Sequence, residues 1–206
     1  MSRQASIRIS NPWNFRYVAE MRITSGILRN RRFNVPSQEV RPTMESVREA
    51  VFSSLGGSCE GLRVLDLFAG SGALGLEAWS RGAGAVTFVE QHSKVWKNLQ
   101  RNIQSLEAEG LGTTRCIKAD AIRWLGRAGG QFDLILADPP YDLPDALRLT
   151  LEGIATHSVL TDGGILVYEL RSKGAPEVSS DWNVLRDRKY GKTRILTLKL
   201  NNKDAT

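Results

Sequence analysis

The chain is poor in the residues that most metal and triad chemistry needs. Only two histidines, His92 and His157, and two cysteines, Cys59 and Cys116, occur in 206 residues. This excludes a His-rich metal site and argues against a nucleophile–His triad; no metal site is expected. The two cysteines lie far apart with no metal-ligand spacing, so reduced, buried thiols and a cytoplasmic location are the expectation. No apolar run approaches the length of a membrane span. Arg3, Arg8 and Arg16 near the N-terminus are not followed by the apolar segment of a signal peptide. Lysine is absent from the first 48 residues, where every basic side chain is Arg.

What is present starts with that arginine. The net charge is +6, and residues 1–48 carry nine arginines against three glutamates while the remainder is balanced. The whole excess therefore sits in the first quarter of the chain. The planar guanidinium suits phosphate forks and base stacking, so the segment reads as a nucleic-acid-facing patch. The plainer reading is a solvated basic tail. The length suits one domain, and 41% hydrophobic residues suffice for a core.

Residues 1–20 lack periodicity and read as a loose leader. From Met21 to Val35, Ile23, Ile27, Phe33 and Val35 recur around Gly26 and the run Arg29-Asn30-Arg31-Arg32. That predicts a small β-hairpin with a basic tip. Arg41-Pro42-Thr43 leads into a helix with Thr43 as N-cap and an apolar face of Val47, Ala50, Val51 and Leu55. Together these residues make an N-terminal unit over 21–60, followed by a larger one over 61–206. In the larger unit, strands are predicted at 63–67, 85–90, 114–118, 132–137, 164–170, 182–187 and 193–200. Helices are predicted at 72–82, 93–108, 120–127 and 143–157. Short apolar strands alternating with amphipathic helices mean an α/β fold: a mostly parallel, seven-stranded sheet covered on both faces. The last two strands, joined around Tyr190-Gly191-Lys192, are expected to be antiparallel neighbours at one edge.

Two stretches carry chemistry. Phe132 to Ala137 is an apolar strand that stops at Asp138-Pro139-Pro140-Tyr141. The prolines end the strand and stiffen the backbone. An acid and an aromatic are thereby presented at a strand's carboxyl end, where open α/β sheets bind ligands. An acceptor beside a flat ring suits a planar base carrying an amino group. The second stretch runs from Val64 to Ala78, where Asp66 precedes Gly70, Gly72 and Gly75 at a strand–helix turn. The glycines satisfy a dinucleotide fingerprint, but a carboxylate inside the strand is unwelcome to a pyrophosphate and suits a cationic ligand such as S-adenosylmethionine. Glu90 ends the next strand where an acid can take ribose hydroxyls. Asp120 ends the third, either to accept from an adenine amino group or to cap the helix after it.

On these residues, together with Met21 to Gly26, Val47 to Phe52, Arg81-Gly82-Ala83 and Tyr190 to Thr193, the chain resembles class I S-adenosylmethionine-dependent methyltransferases. It most resembles the RsmD family of bacterial guanine-N2 methyltransferases acting on 16S ribosomal RNA. The likeness spans residues 21–200 and leaves out the leader. It implies a Rossmann-like fold with an antiparallel edge strand and an N-terminal hairpin and helix. It implies cofactor contacts from Asp66, Phe68, Ala69, Gly70, Gly72, Glu90, Asp120, Ala121 and Thr43, with Asp138, Pro139, Pro140 and Tyr141 as the catalytic set. Arg22, Arg29, Arg31, Arg32 and Arg41 would hold RNA. The expected partner is ribosomal RNA or the small ribosomal subunit, engaged by a monomer without membrane contact. Competing readings are a DNA amino-methyltransferase, a glutamine methyltransferase (disfavoured because such enzymes carry Asn where this chain has Asp138), a catalytically silent RNA-binding assembly factor, and a nicotinamide-dependent oxidoreductase.

Overall fold

The computed structural model describes residues 17–36, 45–143, 145–173 and 176–201. Most of the expected leader lies outside them, as do Arg41 and Thr43. The described elements run β1 (Tyr17–Arg22), β2 (Arg32–Pro36), α1 (Glu45–Ser54), β3 (Arg63–Asp66), α2 (Ala73–Ser80), β4 (Ala85–Glu90) and α3 (Ser93–Leu106). There follow β5 (Thr113–Lys118), α4 (Ala121–Leu125), β6 (Phe132–Ala137), α5 (Ala146–Thr156), β7 (Leu160–Arg171), β8 (Trp182–Tyr190) and β9 (Thr193–Leu200).

Seven strands form one sheet in the order β5-β4-β3-β6-β7-β9-β8. The central strands are apolar on both sides because helices cover both faces: in β6 only Asp133 escapes full burial. One apolar cluster, containing Leu76, Trp79, Phe88 and Leu99, lies under α2 and α3. The other, containing Leu65, Ile135, Leu151 and Leu196, lies under α4 and α5. The expected antiparallel pair at one edge is present. Within it the reversed strand is β9, which pairs antiparallel with both β7 and the outermost β8. No described helix is long and apolar enough to cross a membrane.

The hairpin differs from its sequence prediction in two respects. Strand β1 starts at Tyr17, so the last four residues of the expected leader belong to the hairpin, with Tyr17 opposite Pro36, Ala19 opposite Val35 and Glu20 opposite Asn34 across a register shift. The turn between the strands is also not a free basic tip. Ile23 and Leu28 are buried, and the turn is pressed onto the end of α2, where Ile27 N–H donates to Ser80 O at 2.8 Å. Gly26 makes that approach possible: its φ is +83°, and a Cβ there would lie 1.7 Å from Ser80 O.

Docking of the hairpin explains why every residue of α2 is buried. Glu77, fully buried on α2, accepts from Thr24 N–H (3.0 Å), Thr24 Oγ1 (2.5 Å), Ser25 N–H (3.1 Å) and Arg81 Nε (2.9 Å). The buried Arg48 of α1 approaches it at 4.0 Å and donates to Arg22 O at 2.7 Å. A charge so deeply placed is tolerable only with such partners. On α3, Asn98 and Asn102 both donate to Asn34 O at 2.9 Å, and Asn34 N–H donates to Asn102 Oδ1 at 3.0 Å. Asn102 also donates to Ser71 O at 3.1 Å, which ties the hairpin to the glycine turn.

Candidate functional site

A cleft of about 500 Å³ opens over the carboxyl ends of β3, β4, β5, β6 and β7. Strand β3 places Asp66 at its floor, 2% exposed, and the turn that follows is built from unusual backbone. Phe68 has φ +140°, Gly70 +54° and Gly72 +89°. Positive φ at a non-glycine residue is costly and clusters at functional turns. The turn is pinned on both sides: Leu67 N–H donates to Leu136 O at 2.8 Å, and Ala69 N–H to Val89 O at 2.9 Å.

The acids hold this backbone as well as lining the cleft. Asp66 Oδ2 accepts from Gly75 N–H at 2.9 Å. Burial, reinforced by the charge of Glu90 and opposed by the Gly75 hydrogen bond, pushes the Asp66 carboxyl up to about 7. Glu90 Oε2 accepts from Gly70 N–H at 3.0 Å, and its Oε1 from His92 N–H at 2.7 Å. Each carboxylate oxygen retains a second lone pair for a ligand hydroxyl. Asp120 Oδ1 accepts from Arg123 N–H at 2.8 Å, so the capping role weighed for it is present, and the same side chain lines the cleft.

At the far wall, Asp138 leaves β6, followed by the buried Pro139 and the exposed Pro140. Tyr141 donates its hydroxyl to Glu169 Oε1 at 3.1 Å, and the Arg171 guanidinium sits 4.9 Å from the centre of its ring. A base stacked on Tyr141 must therefore use the face away from Arg171 or displace it.

The structure thus brings Asp66, Phe68, Ala69, Gly70, Glu90, Asp120, Ala121 and all four residues Asp138 to Tyr141 to one cavity. Gly72 stands behind it: a Cβ there would lie 2.5 Å from Leu99 Cδ1, so its task is packing the turn against α3. Four of the expected RNA-binding arginines are described, and they lie apart from the lining. Arg22 pairs with Glu45 (2.6 Å), Arg32 with Glu20 (3.0 Å), and Arg31 donates to Ser105 O (2.9 Å); all three and Arg29 are exposed. Sequence reasoning missed Glu169 and Thr193, which also line the cleft. Glu169 lies inside β7 and not at its end, so the strand-closing acid that marked Glu90 gives no signal for it.

Among the described residues six carboxylate side chains line the cavity, and no Lys or Arg does. That donor set fits a cationic ligand carrying hydroxyls, and opposes a pyrophosphate. Asp66, Glu90 and Asp120, with the turn from Phe68 to Gly70, are the groups able to hold it.

A family model described as Conserved hypothetical protein 95 matches residues 21–199. The Ribosomal RNA small subunit methyltransferase D of Escherichia coli strain K12 is 33% identical over 174 residues, 84% of this chain and 86% of that protein. A solved chain from Escherichia coli, provisionally named methyltransferase yhhF, is 30% identical with a TM-score of 0.78, covering 88% of this chain and 98% of that one. A chain named SMU.776, solved in complex with SAH, has a TM-score of 0.61 at 16% identity, covering 82% of this chain and 53% of that one. The last is a likeness of fold.

Proposed function

The chain belongs to the Conserved hypothetical protein 95 family, which includes Ribosomal RNA small subunit methyltransferase D, and from that premise we propose that it is an S-adenosylmethionine-dependent methyltransferase. Its substrate is the exocyclic N2 amine of a guanine in 16S ribosomal RNA. The observation that carries the reading is a cleft lined by six acids over the strand ends, with no Lys or Arg among the described residues and Asp138-Pro139-Pro140-Tyr141 on its wall.

S-adenosylmethionine, when bound, supplies an electrophilic methyl group on a sulfonium centre. Glu90 takes its ribose hydroxyls, Asp120 and Ala121 border its adenine, and Asp66 with the Phe68–Gly70 turn meets its cationic end. The target amine is a poor nucleophile because its lone pair is delocalised into the base. Asp138 and a backbone carbonyl of Pro139-Pro140 accept the amine hydrogens and draw the nitrogen towards tetrahedral geometry. The stiff prolines keep those acceptors fixed, which is catalysis by positioning. Asp138 is the acceptor for the proton lost late in the reaction. Tyr141 stacks on the base, which must leave its own stack to enter.

Arg22, Arg29, Arg31 and Arg32 hold phosphates outside the cleft, giving affinity without sequence information, and Arg41 meets the RNA near the target base. The substrate is a partly assembled small subunit, met by a monomer in the cytoplasm. The test is mass spectrometry of small-subunit RNA from cells lacking the gene, before and after incubation with the purified protein and methyl donor. One N2-methylguanine should be missing and then restored. A complete modification profile without the gene overturns the reading.

A further inference from the structure

Glu169 has no role in the mechanism above, yet it is a carboxylate 5% exposed in the wall of the cleft. The parallel register of β6 and β7 sets Ala137 beside Tyr168, so the residues that follow, Asp138 just past β6 and Glu169 near the end of β7, stand next to each other at the same end of the sheet. Two hydroxyls converge on one of its oxygens: Tyr141 donates to Oε1 at 3.1 Å, and Thr193 donates to it at 3.3 Å. The carboxylate is therefore held in rotation by the loop after β6 and by the start of β9. Burying a charge is costly, so a carboxylate kept at this depth calls for partners that use it. A fixed, buried acceptor one strand away from Asp138 has a chemical use there.

The use follows from the edges of the bases. Guanine carries N1–H beside its 2-amino group, two donors side by side. Adenine and cytosine carry their amino group beside an unprotonated ring nitrogen, a donor next to an acceptor. An enzyme acting on an extruded base reads that edge by hydrogen bonds.

Resting on the methyltransferase reading above, we infer that Glu169 is the base-specificity residue, its carboxylate accepting the N1–H of the target guanine while the 2-amino group lies at Asp138. Adenine or cytosine in the same pose sets a ring-nitrogen lone pair against the carboxylate. The buried acid then loses its partner and faces repulsion, which is how a site built around one hydrogen bond rejects the analogue lacking it. Tyr141 and Thr193 are positioning residues for this contact.

The experiment uses small subunits reconstituted on RNA carrying either guanine or 2-aminopurine at the methylated position. 2-Aminopurine keeps the amine and has a bare N1. The wild type should prefer guanine in kcat/KM by about 100-fold or more. In E169Q the amide can turn its NH2 to the bare nitrogen while its oxygen accepts from Tyr141 and Thr193, or turn its oxygen to N1–H while its NH2 donates to those hydroxyls, which both accept and donate. The preference should then fall to about tenfold or less, with adenosylhomocysteine affinity unchanged within about threefold. A purely structural Glu169 would slow both substrates alike. Equal use of the two bases by the wild type, or an unchanged ratio in E169Q, overturns the inference while leaving the methyltransferase reading standing. Methylation of neither base by the wild type overturns that reading, and this one with it.

Discussion

The amide of Gly75 donates to Asp66 Oδ2 at 2.9 Å, so the helix after the glycine turn is fastened to the strand before it. A Cβ on Gly75 would lie 2.3 Å from Phe88 Cε1 and 2.8 Å from Asp66 Oδ2. Gly75→Ala is therefore an overpacking substitution at the floor of the site. It should cost about 1–3 kcal/mol of stability by denaturant titration. Adenosylhomocysteine affinity should fall about tenfold or more, because the same methyl group displaces Asp66. An alanine variant with unchanged affinity would separate this contact from ligand binding.

The carboxyl of Asp66, raised by burial to about 7, makes cofactor binding depend on pH. Its folded value lies above the unfolded value of about 3.9. This group's contribution to stability is thus full below the unfolded value, falls as pH rises towards 7, and is flat beyond. Ligand binding runs the other way. A cation favours the ionised acid, so affinity rises with pH up to about 7, and binding below that value releases a proton. Calorimetry at pH 6 in two buffers of different ionisation heat should register the release. Asp66→Asn should abolish it. Equal heats for the wild type in both buffers would mean that Asp66 is already ionised at pH 6 or takes no part in binding the cation.

Glu77 should prove the most destabilising acid to delete. It holds Thr24, Ser25 and Arg81 by hydrogen bonds in the interior, with Arg48 nearby. Glu77→Ala leaves buried guanidinium groups without their anion, an uncompensated charge that costs about 3–5 kcal/mol. Hydrogen exchange should show the amides of Thr24, Ser25 and Leu28 losing protection before those of β3 and β6. Simultaneous loss throughout would mean that the hairpin and the sheet unfold as one unit.

Much of the fold was legible because its signals are local. β4, β6 and β9 fall on their predicted bounds, being apolar runs closed by Glu90, by Asp138 and by the chain's polar end. Asp138 and the glycine turn were legible because prolines and glycines mark the backbone directly. Glu77 and Arg48 were not, since charged residues in an amphipathic helix read as a solvated face until another element covers them. β7 extends four residues further back than predicted because Gly163-Gly164 imitates a turn. β8 runs three residues past its predicted end for the opposite reason: most of it is exposed at the sheet edge and shows no alternation. Glu169 was lost with them, its position set by pairing across three strands.

The arginines of the hairpin carry a prediction that concerns RNA alone. Arg32 and Glu20 are 72% and 53% exposed, and such a pair is held too weakly to resist competition from a phosphate. Reversing charge at Arg31 and Arg32 should weaken RNA binding and lower the slope of log K against log salt by about 1.4–1.8. Adenosylhomocysteine binding should not change, because neither side chain lines the cleft. Parallel loss of both affinities would contradict this division of labour.

Asp138 offers the sharpest division between position and charge. Asp138→Asn keeps the shape and one acceptor oxygen but loses the negative charge and the capacity to take the late proton. Asp138→Glu keeps the charge but advances the carboxylate by one methylene from the place that Pro139 and Pro140 define. If fixed acceptors drawing the amine nitrogen towards tetrahedral geometry supply the catalysis, a misplacement of about 1 Å should be as damaging as neutralisation. Each variant should then lose about 10²-fold or more in kcat, with adenosylhomocysteine affinity within about threefold of wild type. Single-turnover methylation of the small subunit measures the first quantity and calorimetry the second. A glutamate variant retaining most of its activity would make the charge of Asp138, and not the stiffness of the prolines beside it, the source of the rate.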